Sequence, residues 1–412
     1  MQEVTSKYAV GIDVGTTTVR CVVGHIDGTT GVPIIVGVGV APNSGMRKGN
    51  VINLTGPAQA IDDALGEAER MSGYQVDTAT VSVNGTHILS THADGMIAVG
   101  SANHEITDED IMRLEEVATI GKVPANREIL EVVPHAYKLD GQDNIKNPVG
   151  MTGTRLEIDA HVVSVLTPNL MNLQKAVEAA KVMPHSIIIT GVAAARAVLS
   201  EHQIENGVVL IDIGGSTTNL AIYEEGDLQF TAVIPVGGIN ITNDLAIGLK
   251  IDQEIAEKIK IEHASATSRG DASGISLEHD GEIFSFTTTD IDEIVEARLE
   301  EIFETINYQL KRVGRDGKLP SGAVLTGGTA QLKNIADYAK ESLGLAARVG
   351  IASGYGGVAD DIDKPQFATA IGLMLIDAEA SAGAKQSNKI IGKNVFTSGV
   401  GAIAKLLGRF RP

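Results

Sequence analysis

The 412-residue sequence has one cysteine, Cys21, so neither an intrachain disulfide nor a cysteine metal cluster can form. It has no tryptophan. Its longest apolar stretches, such as 32–41 and 187–199, are short or broken by proline, glycine or Arg196, which argues against a membrane-spanning helix. Positive charge is scarce: 33 Lys and Arg stand against 52 Asp and Glu, a formal net charge of −19. A phosphate polyanion would be repelled, so no nucleic-acid partner is expected. The start Met1-Gln2-Glu3 lacks the basic and apolar regions of a signal peptide, and a cytoplasmic protein is expected. A chain this long splits into at least two domains, 43% hydrophobic content is ordinary for globular protein, and strand patterns alternating with helical ones predict α/β architecture.

Against those absences stands a loop written twice, nearly half the chain apart: Gly11-Ile12-Asp13-Val14-Gly15-Thr16-Thr17-Thr18 and Ile211-Asp212-Ile213-Gly214-Gly215-Ser216-Thr217-Thr218. Each copy joins two apolar β-type runs (8–12 and 19–23; 208–211 and 220–223) and reads as the tight turn of a hairpin. Glycines let backbone N–H groups approach a ligand closely and hydroxyls add donors, which makes an anion-binding turn. An Asp in such a turn would be repelled by a bare phosphate, so Asp13 and Asp212 are expected to hold a hydrated divalent cation riding on that phosphate. Two such hairpins face to face would grip one triphosphate.

This pair of loops resembles the two phosphate motifs of the actin, heat-shock chaperone and sugar-kinase superfamily. The superfamily's third element, a Gly-Gly turn after a strand, is present as Gly327-Gly328-Thr329 following Ala323-Val324-Leu325-Thr326, and the helical segment that lies along the nucleoside in several members appears as Ala256-Glu257-Lys258-Ile259-Lys260. The resemblance implies a two-lobed actin-like fold and ATP with Mg²⁺. The implied nucleotide set is Asp13, Gly15, Thr16, Thr17, Thr18, Asp212, Gly214, Gly215, Ser216, Thr217, the turn Gly237-Gly238, Glu257, Lys260, Gly327, Gly328 and Thr329, with Asp13 and Asp212 on the metal. Ser216 replaces a glycine usual in the second loop, and either crowds the γ-phosphate or donates to it.

Within this superfamily, 85–160 is distinctive. It carries an acidic helix with an N-cap (108–119), a strand (128–134) and the segment Ile145-Lys146-Asn147-Pro148-Val149-Gly150-Met151; with His135-Ala136-Tyr137 and Gly153-Thr154-Arg155 it is similar to the inserted subdomain of the bacterial FtsA family. The expected domains are 1–84, completed by 161–190 and 362–380; the insert 85–160; 191–236, completed by 314–361; and a small subdomain 237–313. Within the last, 265–281 reads as loop and 291–313 as a long helix. Arg298, in Glu296-Ala297-Arg298, matches a Glu-Pro-Arg position of FtsA-like proteins, with Ala297 for the proline; there the resemblance implies reception of the acidic C-terminal peptide of the tubulin-like protein FtsZ.

From Ser381 onward there are six Lys or Arg and no Asp or Glu. Residues 381–393 read as a flexible linker. Placing 394–411 on a helix at about 100° per residue gathers Val395, Phe396, Val400, Ile403, Leu406, Leu407 and Phe410 on one side with Lys405 and Arg409 opposite, an interfacial helix for anionic lipid. A helix docked on its parent domain is the other reading; Gly399, Gly401 and Gly408, each costing about 1 kcal/mol of helix propensity, suit a segment that folds on contact with lipid better.

The connecting helix where superfamily enzymes often place a catalytic carboxylate or amide reads Thr190-Gly191-Val192-Ala193-Ala194-Ala195-Arg196, with none, so no catalytic residue is assigned and hydrolysis is expected to be slow or absent. The family resemblance implies an ATP-binding protein that polymerises and tethers FtsZ filaments to the inner face of the cytoplasmic membrane at the division site, with self, FtsZ, anionic lipids and other division proteins as partners. The alternatives are a pilus-assembly scaffold of the PilM type and, more distantly, a sugar or metabolite kinase.

Overall fold

The computed structural model describes residues 7–28, 31–100, 103–270, 272–279, 281–357 and 362–386. The first lobe is a six-stranded sheet in the order Met183–Ile189, Thr78–Val83, Lys7–Val14, Thr18–Ile26, Pro33–Pro42, Gly356–Gly357. Its central strands are apolar runs buried on both faces, while Pro33–Pro42 alternates buried with exposed residues, and helices cover the sheet. On one side lies Thr55–Ser72, whose Ala60, Ile61, Ala64, Leu65 and Ala68 recur at helical spacing and are buried. Gly39 allows that close packing: a Cβ there would meet the Ala64 carbonyl oxygen at 1.8 Å. Also packed on this sheet is the helix Ala368–Gln386, seated against Gly11, where a Cβ would lie 2.3 Å from the Ala370 carbonyl oxygen.

The second lobe repeats the plan with a five-stranded sheet, Asp227–Ile234, Thr218–Glu224, Val208–Ile213, Ala323–Thr326, Ala347–Val349. Its small subdomain holds helices Gly238–Leu249, Gln253–His263 and Thr288–Arg312. Thr287 and Asp290 form a capping box that starts the last helix three residues before the expected 291. The stretch 265–281, expected to be loop, contains the strand Gly274–His279, paired antiparallel with Glu282–Thr287. Ile275 and Leu277 alternate with polar residues and pack on the lobe's core, a two-residue period hidden among Ser, Gly and charged neighbours.

The insert is a four-stranded sheet, Leu89–Ala98, Arg155–Leu166, Arg127–Leu139, Gln142–Ile145, backed by the helix Asp108–Thr119. Thr107 and Asp110 cap that helix reciprocally, and its bounds are those expected. The strand expected to stop at Pro134 runs on to Leu139: a register shift between Asp159 and Ala160 falls opposite Pro134, where a missing N–H is tolerated. The insert has its own core around Ile106, Leu114, Leu156 and Ile158. It leans on the second lobe through Lys146 Nζ to Asp227 Oδ2 (2.7 Å) and His135 Nε2 to the Leu228 carbonyl oxygen (3.0 Å).

Two boundaries differ from expectation. The chain returns to the first sheet at Gly356–Gly357, which pairs with Ile34 and Ile35, rather than at 362. The final helix continues through Gln386, so a linker starting at 381 is corrected; Ala382, Ala384, Lys385 and Gln386 favour helix, no proline intervenes, and the helix carries the cost of Gly383. Among the described residues no helix is long and apolar enough to cross a membrane. The membrane-binding residues expected in the tail (Phe396, Val400, Ile403, Lys405, Leu406, Leu407, Arg409 and Phe410) lie outside the described residues.

Candidate functional site

Both repeated loops are hairpin turns. In the first, Lys7–Val14 pairs with Thr18–Ile26; in the second, Val208–Ile213 pairs with Thr218–Glu224, and Gly214 N–H closes the turn onto the Thr217 carbonyl (2.9 Å). The turns meet. A Cβ on Gly215 would lie 2.7 Å from Thr17 Oγ1, and Asn84 Nδ2 donates to Thr217 Oγ1 (3.0 Å). The Gly237-Gly238 turn joins them as Gly238 and Ile239 N–H donate to the carbonyls of Gly214 (2.9 Å) and Gly215 (2.7 Å).

Thr329 Oγ1 donates to the Gly214 carbonyl (3.1 Å), which brings in the third glycine turn. Gly327, at φ 87°, has no space for a side chain, because a Cβ would lie 2.4 Å from Asp212 Oδ1. These parts line one cavity of about 540 Å³ that holds every residue of the expected nucleotide set except Gly237, which backs it one position away. Thr16 accepts a hydrogen bond from Gly49 N–H (3.0 Å), and its own O–H remains a donor. Lys260 Nζ reaches Glu257 Oε2 (2.6 Å) and Thr242 Oγ1 (2.9 Å), so the Glu and Lys of the helical segment form a pair at the cavity wall.

The electrostatics centre on two buried carboxylates. Asp13 accepts from Ser82 Oγ (2.9 Å) and Asp212 from Asn219 Nδ2 (3.0 Å). Burial, then the charge of Asp13, pushes the Asp212 carboxyl up to about 7. Burial raises Asp13 too, against the pull of Arg20 and the Ser82 hydroxyl. Burial lowers the Arg20 guanidinium, against the attraction of both carboxylates. The buried Ser216 Oγ has no hydrogen-bond partner, an orphaned polar atom on the cavity wall.

Among the described residues no group of three or more His, Cys, Asp or Glu gathers to hold a metal ion. Two carboxylates beside an anion-binding turn therefore fit an ion that keeps most of its waters and takes its remaining ligand from a phosphate, which is how magnesium prefers to bind.

The cavity residues absent from the expected set include Arg20, Asn84, Asn219 and Lys333. Arg20 and Asn219 had a signal. Each stands seven residues after its aspartate and directly across the hairpin from it. Asn84 and Lys333 sit in no recurrent pattern, and only the fold brings them in. Arg298 lies apart on the long helix, where it clasps Asp244 Oδ2 (2.5 Å) and Oδ1 (3.0 Å) and also pairs with Glu301.

Comparison with known proteins follows the same lines. A family model described as "Cell division protein FtsA" matches residues 209–372, and one described as "SHS2 domain inserted in FTSA" matches 85–164. The chain is 34% identical over 375 residues to the cell division protein FtsA of Pseudomonas aeruginosa, covering 90% of this chain and 89% of that one. It is 36% identical over 373 residues to that of Bacillus subtilis, covering 90% and 83%.

The chain belongs to the FtsA family of cell-division proteins.

Similar solved structures include a PilM-PilN type IV pilus biogenesis complex (TM-score 0.64, 15% identity, 90% of this chain and 98% of that one). Another is MreB5 of Spiroplasma citri bound to ADP (TM-score 0.57, 13% identity, 92% and 99%). At these identities the likeness is one of fold, and the fold is actin-like. The pilus-assembly alternative shares that fold, whereas the sequence similarity and the insert are those of FtsA.

Proposed function

We propose that this FtsA-family chain binds ATP with Mg²⁺ in the cleft between its two hairpins, polymerises, and holds FtsZ filaments at the cytoplasmic face of the membrane at the division site. The observation that carries the nucleotide reading is the convergence of both repeated turns, both aspartates and the third glycine turn on one cavity. Backbone N–H groups of the turns, with the hydroxyls of Thr16, Thr17, Thr18 and Thr217, would cradle the polyphosphate. Asp13 and Asp212 would orient the waters of the magnesium ion, which when bound neutralises phosphate charge. Glu257 and Lys260 would border the nucleoside. The MreB5 structure carries ADP, and a related solved structure carries AMPPNP, which supports a nucleotide as the ligand class of the fold.

Hydrolysis is proposed to be slow. The helix Thr190–Val198 presents only Thr190 to the cavity, with no carboxylate or carboxamide of its own to position water.

The membrane and FtsZ parts rest on the family and on the tail sequence. Arg298 is proposed to meet the acidic FtsZ peptide; its pairing with Asp244 and Glu301 means that a peptide carboxylate must compete with two resident ones, so apolar contacts would supply most of the affinity. Liposome pelleting tests the whole reading. The full chain with ATP should co-sediment with anionic vesicles and carry an FtsZ tail peptide with it. A chain ending at Gln386, the last described residue of the final helix, should keep ATP affinity and lose the vesicles. Full vesicle binding by the shortened chain would refute the tail as anchor.

A further inference from the structure

The segment Lys146-Asn147-Pro148-Val149-Gly150 takes no part in the cleft, yet it is built to hold one side chain in place. Asn147 Oδ1 accepts from Val149 N–H (3.1 Å), Pro148 fixes its own φ, and Gly150 N–H donates to the Ile106 carbonyl (2.9 Å) just before the insert's helix. From this braced loop Lys146 projects onto the second lobe. Its ammonium uses three donors: to the His135 carbonyl of the insert (2.9 Å), to the Glu225 carbonyl (3.3 Å) and to Asp227 Oδ2 (2.7 Å). The last two flank Gly226 in the turn between the strands Thr218–Glu224 and Asp227–Ile234, where Glu225 (φ 55°) and Gly226 (φ 89°) both take the positive φ that a tight hairpin turn requires.

What Lys146 grips is the end of an edge. Asp227–Ile234 is the outermost strand of the second sheet, and such a strand leaves a row of N–H and C=O groups without ladder partners. The insert meets part of that row: the Leu228 carbonyl accepts from His135 Nε2 (3.0 Å), and Thr231 N–H donates to Ser90 Oγ (3.4 Å). Three insert strands, Leu89–Ala98, Arg127–Leu139 and Arg155–Leu166, pack against this edge. At its base, however, the insert is fixed to the first lobe. Arg127 ties the two chain crossings together through the His87 carbonyl, the Ser164 carbonyl (2.9 Å) and Ser164 Oγ (3.0 Å), and Ile88, Val163 and Val165 share a core with the first sheet. Asn84, the residue that leads into the insert, is also the one whose Nδ2 donates to Thr217 Oγ1 in the second turn of the cleft.

We infer that the insert is a strut between the lobes: fixed to the first and hooked by Lys146 to the edge of the second, it couples closure of the cleft to the seam between insert and edge strand. The coupling is reciprocal, so a ligand that draws the two turns together tightens the seam, and a loosened seam speeds the ligand's escape. The strut rests on the nucleotide reading only for the identity of that ligand. The Lys146–Asp227 pair is half exposed and contributes little to stability by itself. Its leverage is positional, because reversing one charge there turns attraction across the seam into repulsion.

The test reads lobe separation directly. Spin labels are placed on Asp62→Cys and Glu304→Cys, exposed positions on the first and second lobes, while the native Cys21 is buried away from the label. Double electron–electron resonance gives the separation in the full chain with and without ATP and magnesium, and stopped flow gives release of a fluorescent ATP analogue. In the parent, ATP should narrow the distance distribution. Lys146→Glu should shift it to longer separations in nucleotide-free protein and speed release about fivefold or more. Adding Asp227→Lys to that variant restores the pair with its charges exchanged and should reverse both effects. Lys138→Glu, which breaks an exposed pair with Asp143 (3.0 Å) inside the insert, should change neither. Parental separation and release in Lys146→Glu would overturn the strut, as would a charge exchange that restores nothing or an equal effect from Lys138→Glu. A parent that binds no ATP, yet whose separation responds to Lys146→Glu and to the exchange, would refute the nucleotide reading and keep the strut. If circular dichroism shows Lys146→Glu to be unfolded, Lys146→Met takes its place and should shift separation and release in the same direction.

Discussion

The two hairpins have the same backbone plan, with an aspartate before the turn and a polar residue across from it, yet they satisfy that aspartate differently. In the second, Asp212 is served within its own hairpin by Asn219 and is left facing the charge of Asp13. In the first, Asp13 is served from outside by Ser82, and the residue across from it is a cation, Arg20, whose buried Nε has no hydrogen-bond partner. A duplicated motif has thus become an asymmetric clamp. Each aspartate depends on a different part of the fold for its hydrogen bond. The cavity they share is lined by Asp13, Asp212 and Glu257 against Arg20, Lys260, Lys333 and Lys364, so its walls carry charge of both signs.

The sharpest way to break the comparison is to remove the aspartates singly. Asp212→Ala should cost on the order of 3 kcal/mol of ATP binding in magnesium, since it removes a charged ligand group and strands the amide of Asn219. Asp13→Ala should cost less, because Ser82, the donor it strands, keeps its hydrogen bond from Val14 N–H (2.8 Å). A fluorescent ATP analogue measures both, with circular dichroism to confirm the fold. Unchanged affinity in both variants would refute the two-hairpin site, and equal large losses would refute the asymmetry.

Proton linkage sharpens the same contrast. The Asp212 carboxyl is raised from 3.8 to about 7, so in nucleotide-free protein the folded chain holds a proton there over a range where the unfolded chain has released it. The folded state binds more protons in that window, so this group's contribution to stability is present at low pH and is lost as pH rises from about 4 to about 7. Urea unfolding in EDTA at about pH 5 and about pH 8 should therefore differ by up to a few kcal/mol more in the parent than in Asp212→Asn, which cannot titrate. Equal differences would mean that Asp212 is ionised in the empty cleft.

How much of this was legible in the sequence depended on how local each cause is. The hairpins, the third glycine turn and the helix 108–119 were readable because turn glycines, apolar runs and a capping box act within a few residues. The strand Gly274–His279 was hidden because its period of two lies in a polar setting, and the continuation past Pro134 because a bulge beside the proline, with His135 as the extra residue of its own strand, accommodates it. The final helix overran the expected linker because Ala382, Ala384, Lys385 and Gln386 favour helix strongly enough to carry Gly383, with no proline to stop it. In the site, the aspartates and glycines stood out as a repeated string. Arg20 and Asn219 required a register argument, and Asn84 and Lys333 required the tertiary fold. Arg298 was found by family position alone, which gave no sign of Asp244 on the adjoining helix.

The smallest expected effect decides a question the sequence left open. Ser216 departs from the glycine usual at its place in the second turn, and its hydroxyl either donates to the γ-phosphate or crowds it. Its Oγ is buried and unpartnered in the empty cleft, so Ser216→Ala removes an unmet donor and should leave stability unchanged or raise it by about 1 kcal/mol. If the hydroxyl donates to the γ-phosphate, the variant should lose about 1 kcal/mol for ATP and nothing for ADP, a several-fold fall in the ATP-to-ADP preference. Crowding predicts the reverse, a gain for ATP alone. Titrating both nucleotides against parent and variant measures the sign, and an unchanged ratio would make Ser216 a bystander.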